Sequence, residues 1–201
     1  MKLDKLIFAT GNEGKMKEIR MILADMGMEI LSMKEAGVDT DIVEDGTTFE
    51  ENALIKARTV AAVSGLPAMA DDSGLEVDHM DKAPGIYSAR FLGEDTSYRI
   101  KNQYIIDQLA EVEGDARSAR FVCAIALALP DGRSFTTRAT VEGVIAYEER
   151  GNEGFGYDPI FYLPEYGKTT AELTPEEKNV ISHRGKALRQ MKAIMEEQKE
   201  Q

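Results

Sequence analysis

Two adjacent carboxylates, Asp71 and Asp72, follow a short apolar run in the segment Ala70-Asp71-Asp72-Ser73-Gly74. Neighbouring negative charges repel each other and each resists leaving water, so paired acids at the end of a buried strand indicate a bound cation. Magnesium prefers oxygen ligands, is often held by one or two carboxylates, and completes its shell with water and substrate phosphates. An ordinary polar turn is the alternative interpretation of these five residues. The cation hypothesis therefore requires a phosphate-binding segment elsewhere in the chain.

A candidate phosphate-binding segment lies between a predicted strand and a predicted helix, and it reads Thr10-Gly11-Asn12-Glu13-Gly14-Lys15. Free amide groups and the helix dipole attract anions at such a position. Glycines let the backbone approach a phosphate, and Lys15 adds a full positive charge. The glycine spacing is too short for a Walker loop, and Met16 stands where that loop needs a metal-binding serine or threonine. A tight turn with a solvated lysine is the alternative interpretation.

Two charged residues before and within the next predicted helix could join the same site. Glu44 lies in an acidic loop at 39–45, and Lys56 shares a helix face with Asn52, four residues earlier. A solvated acidic loop and an exposed lysine would give the same pattern. The convergence of these residues with the other segments therefore carries more weight than either residue alone.

A glycine loop, residues 151–159, brings three glycines and two aromatic residues together. Such a loop can place backbone and a ring close to a flat ligand, and a purine would stack on Phe155. Further along the chain, Lys178, His183 and Arg184 are potential cations near the start of the last predicted helix. His183 and Arg184 could donate to a keto oxygen or to a phosphate. The alternatives are a hairpin loop with packed aromatic side chains and a helix-capping serine followed by exposed residues.

The elements that must position these residues form an α/β pattern. Hydrophobic periodicity predicts strands at 6–9, 66–70, 119–129 and 134–147, and helices at 48–64 and 95–112. The same spacing predicts a first helix that includes Met16, Ile19, Leu23 and Met26, and a last helix with one apolar face formed by Ala187, Leu188, Met191, Ile194 and Met195. Thr48 and Glu51 resemble a capping box, and Pro130-Asp131-Gly132 predicts a hairpin turn between the two long strands. The strand at 66–70 would end just before the paired acids, at the sheet edge where open α/β folds place ligands.

Composition narrows the class of protein. A length of 201 residues suits one domain, and we expect residues 1–201 to form it without a separable linker. The net charge of −12 disfavours binding to a nucleic acid polymer but leaves room for a small polyanion. Cys123 is the only cysteine, so no internal disulfide can form. The sequence has no apolar run of membrane length and no signal-peptide core, which predicts a cytoplasmic protein with no membrane partner.

Six segments occur in an order that resembles a known family: F-A-T-G-N-x-x-K, T-F-E-E-N-A-L-x-K-A, A-D-D-S-G-L, A-P-G-I-Y-S-A-R, G-F-G-Y-D-P-I-F and I-S-H-R-G-K-A. The series is similar to the inosine/xanthosine triphosphate pyrophosphatases, which remove deaminated purine nucleoside triphosphates from the nucleotide pool. The resemblance runs from about Leu6 to Met191. It implies an elongated mixed sheet with flanking helices, two lobes around a central nucleotide-binding cleft, and a magnesium-dependent homodimer.

The resemblance also implies roles for individual residues. Asp72 corresponds to the catalytic acid and, with Glu44, to the magnesium site. The substrate contacts that it implies are Thr10, Gly11, Asn12, Glu13, Gly14, Lys15, Lys56, Ser73, Phe155, Gly156, Tyr157, Asp158, Lys178, His183 and Arg184. The implied reaction converts ITP, dITP or XTP to the monophosphate and pyrophosphate. Asp72 would act on the attacking water as a base or serve mainly as a metal ligand, and Asp71 would tune its ionisation or coordinate through water.

Selectivity is expected to depend on the six-position of the purine. A keto oxygen there accepts hydrogen bonds from His183 or Arg184, whereas the amino group of adenine would meet donor with donor. Guanine shares the keto group, so its rejection must involve the two-position. Two other functions stay open: a pyrophosphatase for other nucleotides, such as pyrimidine triphosphates, and a nucleotide-binding sensor without turnover.

Overall fold

The computed structural model describes residues 4–200, which form a mixed α/β fold. Its strands are β1 (Lys5–Phe8), β2 (Glu29–Ser32), β3 (Ala68–Val77), β4 (Ser118–Ala128), β5 (Ser134–Ile145), β6 (Phe161–Leu163) and β7 (Lys168–Thr169). Its α-helices are α1 (Glu13–Ile22), α2 (Phe49–Ser64), α3 (Tyr98–Gln108), α4 (Pro175–Ile181) and α5 (His183–Glu200). The α/β class predicted from the sequence is confirmed.

All seven strands belong to one sheet in the order β2-β1-β3-β4-β5-β6-β7. The strand β1 pairs in parallel with β2 and β3, whereas β6 pairs antiparallel with β5 and β7. The parallel part follows from helical connections, because parallel neighbours need a long crossover while antiparallel neighbours can be joined by a short turn. Among residues 4–200, every helix is too short or too polar to cross a lipid bilayer.

The chain divides into two compact units, each with its own hydrophobic core. The first unit contains the described residues up to Asp72, then Cys123–Ala139, and the chain from Arg184 onward. Its core joins the buried sides of α1 and α5 to strands β1, β3 and β4. The second unit contains Ser73–Val122 and Thr140–His183, and its core includes side chains of α3, β4, β6 and the aromatic residue Tyr157.

The helix α2 forms where the sequence predicts it. Its N-cap residue Thr48 accepts a hydrogen bond from the Glu51 amide at 3.1 Å, as in a capping box. The carboxylate of Glu51 turns instead to the amide and hydroxyl of Thr47, at 2.6 Å and 2.8 Å. Gly65 ends the helix in the left-handed conformation, with a φ of 68°. The helix predicted at about 48–64 is therefore confirmed, with Thr48 as its N-cap and Phe49 as its first residue.

The strand that carries the paired acids is longer than predicted. The sequence placed its end at Ala70, but β3 continues through Asp71 and Asp72 to Val77. Both carboxylates receive hydrogen bonds from cationic or amide side chains, described below, so the charges do not force the backbone out of the sheet. The prediction that the acids terminate the strand was wrong.

The hairpin and the third helix also follow the prediction, but α3 begins at Tyr98 rather than 95 and is shorter at both ends. The strands β4 and β5 are neighbours joined by a turn in which the Leu129 amide donates to the Arg133 carbonyl at 2.9 Å. The helix α3 ends at Gln108, before the predicted limit of 112. The buried Arg117 donates to the carbonyls of Leu109 and Val112 at 2.6 Å and 2.9 Å. The Arg117 side chain thus satisfies carbonyls that would otherwise need amide donors from a longer helix.

Candidate active site

The predicted phosphate segment is a loop fixed at the N-terminus of α1. Asn12 is the N-cap, and its Oδ1 accepts a hydrogen bond from the Lys15 amide at 3.0 Å. The Thr10 hydroxyl accepts from the Asn12 amide at 3.1 Å. Gly11, Asn12, Glu13 and Gly14 are exposed. The loop therefore presents a helix N-terminus to solvent, which is the arrangement that attracts an anion.

Asp71 is the counter-ion for two cations of the first unit. The Lys15 Nζ lies 3.1 Å and 3.0 Å from its two carboxylate oxygens. The Arg184 Nε and Nη2 both lie 3.3 Å from Oδ2. Burial opposes ionisation of Asp71, but Lys15 and Arg184 outweigh it and hold the pKa of this carboxyl well below its usual range. Asp71 is therefore ionised at neutral pH.

The guanidinium of Arg184 is also bound to a second acid, Glu18, through Nη1. Burial alone would lower the pKa of Arg184, but Asp71 and Glu18 raise it. Arg184, which the sequence predicts as a hydrogen-bond donor to a keto oxygen, therefore has its guanidinium paired with two carboxylates. Glu18 was not found from the sequence, although it lies three residues after Lys15 and so on the same side of α1. That spacing was the available signal.

Asp72 lies in a different electrostatic setting from its neighbour. The Asn52 Nδ2 lies 3.3 Å from Oδ2, and the Lys56 Nζ lies 3.5 Å from Oδ1. Burial raises the pKa of Asp72, Lys56 opposes the shift, and the negative charge of Glu44 adds to it. The predicted shared face of Asn52 and Lys56 is confirmed, since both residues contact this one carboxylate. Two adjacent acids with pKa values shifted in opposite directions are suited to different roles.

Lys56 links Asp72 to the predicted second metal ligand. Its Nζ is 2.8 Å from the Glu44 Oε2. Burial alone would lower the pKa of Lys56, but the negative charges of Asp72, Asp71 and Glu44 raise it. Glu44 and Asp72 therefore face the same ammonium group, a place where positive charge is stabilised.

The donor set near Asp72 fits a magnesium ion with an incomplete protein shell. Within residues 4–200 no group of three or more histidine, cysteine, aspartate or glutamate side chains is arranged to hold a metal. Two carboxylates, Asp72 and Glu44, share the Lys56 ammonium group. Magnesium is commonly held by one or two carboxylates, with water and phosphate oxygens filling the other positions. The residues present match that pattern.

The glycine loop of the second unit is organised around Asp158. Its Oδ2 accepts from the Phe155 amide at 2.8 Å and from the Lys178 Nζ at 2.7 Å. The same ammonium group lies 4.8 Å from the centre of the Phe155 ring. Gly154 has a φ of 75°, and a Cβ there would lie 2.2 Å from the Asp158 carboxylate. Only glycine fits this position.

Two further contacts fix the other residues of the glycine loop. The Tyr157 hydroxyl donates to the Ser88 carbonyl at 2.7 Å, and its ring packs edge-on against Tyr98 at 5.2 Å. The Gly156 carbonyl accepts from Asn102 Nδ2 at 3.3 Å. Tyr157 is thus a packed residue, whereas Phe155 and Gly156 line a cavity of about 430 Å³. This cavity is lined by Glu149, Gly151, Asn152, Glu153, Gly154, Phe155, Gly156 and Pro159.

His183 and Arg184 are sequence neighbours but have different surroundings. The imidazole of His183 stacks on Phe121 in the second unit, with ring centres 4.9 Å apart. Arg184 packs in the first unit on Asp71 and Glu18. Ser73, the first residue of the second unit, is half-buried in β3. The predicted roles of His183, Ser73 and Arg184 as substrate contacts stay predictions.

The fold and the site together define an α/β protein with an anion-attracting strand-to-helix loop and a pair of unlike carboxylates. The model of the Ham1 family matches residues 6–194, and the chain belongs to that family. The match covers nearly the same span as the predicted resemblance, which is confirmed.

Known relatives agree with the assignment. A protein of Exiguobacterium sibiricum named dITP/XTP pyrophosphatase is 47% identical over 191 residues, which cover 95% of this chain and 96% of the relative. Another of that name, from Escherichia coli O157:H7, is 49% identical over 189 residues, covering 93% and 95%. The structure of a HAM1 protein from Coxiella burnetii matches with a TM-score of 0.87 and 42% identity, covering 96% of this chain and 98% of that one. The Ham1 protein of Staphylococcus aureus matches with a TM-score of 0.86 and 39% identity, covering 96% and 99%.

Proposed function

We propose that this chain hydrolyses deaminated purine nucleoside triphosphates, dITP, ITP and XTP, to the monophosphate and pyrophosphate. The observation that carries the proposal is the pair Asp71 and Asp72 in the same unit as the anion-attracting loop at 10–15. One carboxyl is firmly ionised and orders two cations, and the other has a raised pKa and few partners. The names of the relatives support the substrate class.

We propose magnesium as the cofactor, held by Asp72 and Glu44. When bound, it would polarise phosphate oxygens and offset the charge that develops on them. In the protein itself, the Lys56 ammonium group contacts both carboxylates. The amides of the loop at 10–15 would bind an anion. Lys15, oriented by Asp71, adds positive charge next to that loop.

The reaction requires a water molecule to attack a phosphorus atom and a pyrophosphate group to leave. Asp72 would act on this water either by accepting its proton or as a ligand of the magnesium ion. The bond from the α-phosphorus to the bridging oxygen breaks, and the electron pair stays on the departing pyrophosphate. Lys15 and Lys56 stabilise the negative charge that builds up during this step.

The second unit supplies recognition of the base in this proposal. Phe155 offers a ring for stacking, held by its own amide bond to Asp158. His183 and Lys178 are the candidate donors to a six-keto group, and adenine would oppose them with its amino group. Arg184 acts through Asp71, because its guanidinium is bound to carboxylates.

The test is a product assay on a panel of triphosphates. Purified protein with saturating magnesium is given dITP, XTP, dGTP, dATP and dTTP, and the pyrophosphate and monophosphate are quantified. We expect rapid release of pyrophosphate from dITP and XTP and much slower release from the other three. Preference for dTTP would indicate a pyrimidine enzyme, and binding of dITP without pyrophosphate would indicate a sensor; either result contradicts the proposal.

We also propose a homodimer in the cytoplasm. The side chains of Ile100 and Tyr104 lie one turn apart on α3 with 58% and 39% of their area exposed, and Tyr104 packs on Phe91. An exposed apolar face of this kind suits a second copy of the chain. Ile100→Glu should convert a dimer to a monomer in light scattering after gel filtration.

The cytoplasmic location is supported by the single cysteine, Cys123, which is buried.

A further inference from the structure

The carboxylate of Asp158 is held at both of its oxygens, and the two sides have different partners. Oδ2 takes the Phe155 amide and the Lys178 ammonium group. Oδ1 lies 2.8 Å from the Thr170 hydroxyl, which within residues 4–200 is its only hydrogen-bond partner. Thr170 is buried in the short 3₁₀ turn Thr170–Glu172 that follows β7.

The Thr170 hydroxyl has one proton and two acceptors within reach. The Asp158 main-chain oxygen is 3.1 Å away, whereas Oδ1 is 2.8 Å away and charged. A hydroxyl donates preferentially to the nearer, ionised acceptor. The proton therefore lies between Thr170 and the Asp158 carboxylate.

This bond matters because the last torsion of an aspartate side chain is soft. Rotation about the bond from Cβ to the carboxylate carbon has broad minima, so one oxygen alone does not fix the carboxylate plane. If Oδ1 lost its donor, Oδ2 could turn away from the Phe155 amide. The Phe155 backbone and ring would then lose their fixed orientation.

We propose that Thr170 is a positioning residue for base recognition: its hydroxyl fixes the Asp158 carboxylate, which in turn fixes Phe155 and Lys178. The part of this inference that concerns the base rests on the proposed function. Thr170 is buried and bonded to Asp158, so its effect must pass through the glycine loop. Its loss should therefore raise the KM for dITP and reduce discrimination against dATP while leaving kcat for dITP nearly unchanged.

The neighbouring threonine supplies a matched control. Thr169 is fully buried, and its hydroxyl donates to the Arg150 carbonyl at 2.7 Å rather than to Asp158. Thr169→Val and Thr170→Val each remove one buried hydroxyl and keep the side-chain shape. Thr170→Ser keeps the hydroxyl and should behave as the wild type. Thr170→Ala replaces the valine variant if that variant does not fold.

Two measurements test whether Thr170 positions Phe155 through Asp158. Hydrogen exchange by NMR should show the Phe155 amide exchanging about tenfold faster in Thr170→Val, but not in Thr169→Val or Thr170→Ser. The ratio of kcat/KM for dITP to that for dATP should fall by about tenfold in the same variant alone. The proposal is overturned if Thr169→Val and Thr170→Val change either quantity equally, or if Thr170→Val changes neither.

The two hypotheses fail in different ways. If the wild type releases no pyrophosphate from dITP, the proposed function is wrong. Exchange of the Phe155 amide still decides whether Thr170 holds Asp158, because that measurement needs no substrate. If the wild type is active and the Phe155 amide is unaffected in Thr170→Val, the positioning role is wrong and the proposed function stands.

Discussion

Asp71 and Arg184 form a buried ion pair in which two guanidinium nitrogens lie 3.3 Å from one carboxylate oxygen. The side chains are 1% and 3% exposed. Removing one member of a buried pair leaves an uncompensated charge, which costs far more than the net gain from forming the pair. This pair therefore contributes to stability, whereas we propose that Asp72, the next residue, acts in the reaction.

Asp71→Asn should lower the free energy of unfolding by about 3 kcal/mol, because Lys15 and Arg184 lose their shared carboxylate. Urea unfolding followed by circular dichroism measures the change. Asp131→Asn is the control: Asp131 pairs with Arg133 at 2.8 Å, but both side chains are about half exposed, at 50% and 49%. That variant should change the free energy by less than about 0.5 kcal/mol. Equal effects would show that burial of the Asp71 pair is unimportant.

Asp72→Asn should reduce kcat for dITP by roughly 10²-fold or more, the scale of losing acid–base assistance. The fold should survive, because the asparagine side chain that replaces Asp72 is neutral and of similar size, and Lys56 keeps its contact with Glu44. Pyrophosphate release with saturating magnesium and a thermal melt give the two readouts. Wild-type turnover in this variant would remove Asp72 from the reaction.

Phe155→Ala and Lys15→Ala should have different signatures. Loss of base stacking in Phe155→Ala costs about 1–3 kcal/mol, which should appear as a higher KM for dITP and weaker discrimination against dATP.

Loss of the phosphate-side charge in Lys15→Ala should lower the rates of dITP and dATP hydrolysis by the same factor. The measurement is kcat/KM for both substrates. A change of base preference in Lys15→Ala with an unchanged rate would refute the assignment of the loop at 10–15.

Stability at low pH should depend on Asp78 in the second unit. Hydrogen bonds from Arg120 and Ser118 lower the pKa of Asp78 from 3.8 to about 2. The folded state therefore prefers the ionised form, and this stabilisation is complete well above pH 3.8 and is lost as the pH falls towards 2. Because the side chain is 32% exposed, we expect about 1 kcal/mol rather than the full value of the shift.

The check on Asp78 is urea unfolding of the wild type and Asp78→Asn at several pH values. The difference should be about 1 kcal/mol at pH 6 and about half of that at pH 3. A difference that stays constant over this range would mean that Asp78 contributes through shape and not through charge.

The elements predicted correctly are those whose signals are local. The helix α2 has its cap residue Thr48 and its terminating Gly65 within or next to its own sequence. The hairpin turn at 129–133 and the strand-to-helix loop at 10–15 also depend on neighbouring residues. Turn chemistry and hydrophobic spacing therefore sufficed for the fold class.

The errors and omissions come from contacts between distant residues. The end of β3 was placed at Ala70 because paired acids are unfavourable in a buried strand, and nothing near Asp71 in the sequence reveals Arg184 as its partner. Thr170 gave no local signal either, since its acceptor Asp158 is twelve residues earlier. Such pairings are set by tertiary structure, which periodicity does not report.

The distance along the chain between Asp71 and Arg184, 113 residues, also orders events during synthesis. A ribosome releases the strand that carries Asp71 long before it makes the arginine, so for most of translation this carboxylate lacks Arg184 and has Lys15 and Lys56 as cations made earlier. Contacts between residues so far apart form late because a long loop must close first. We therefore expect the nascent chain to stay catalytically silent until α5 has emerged and docked.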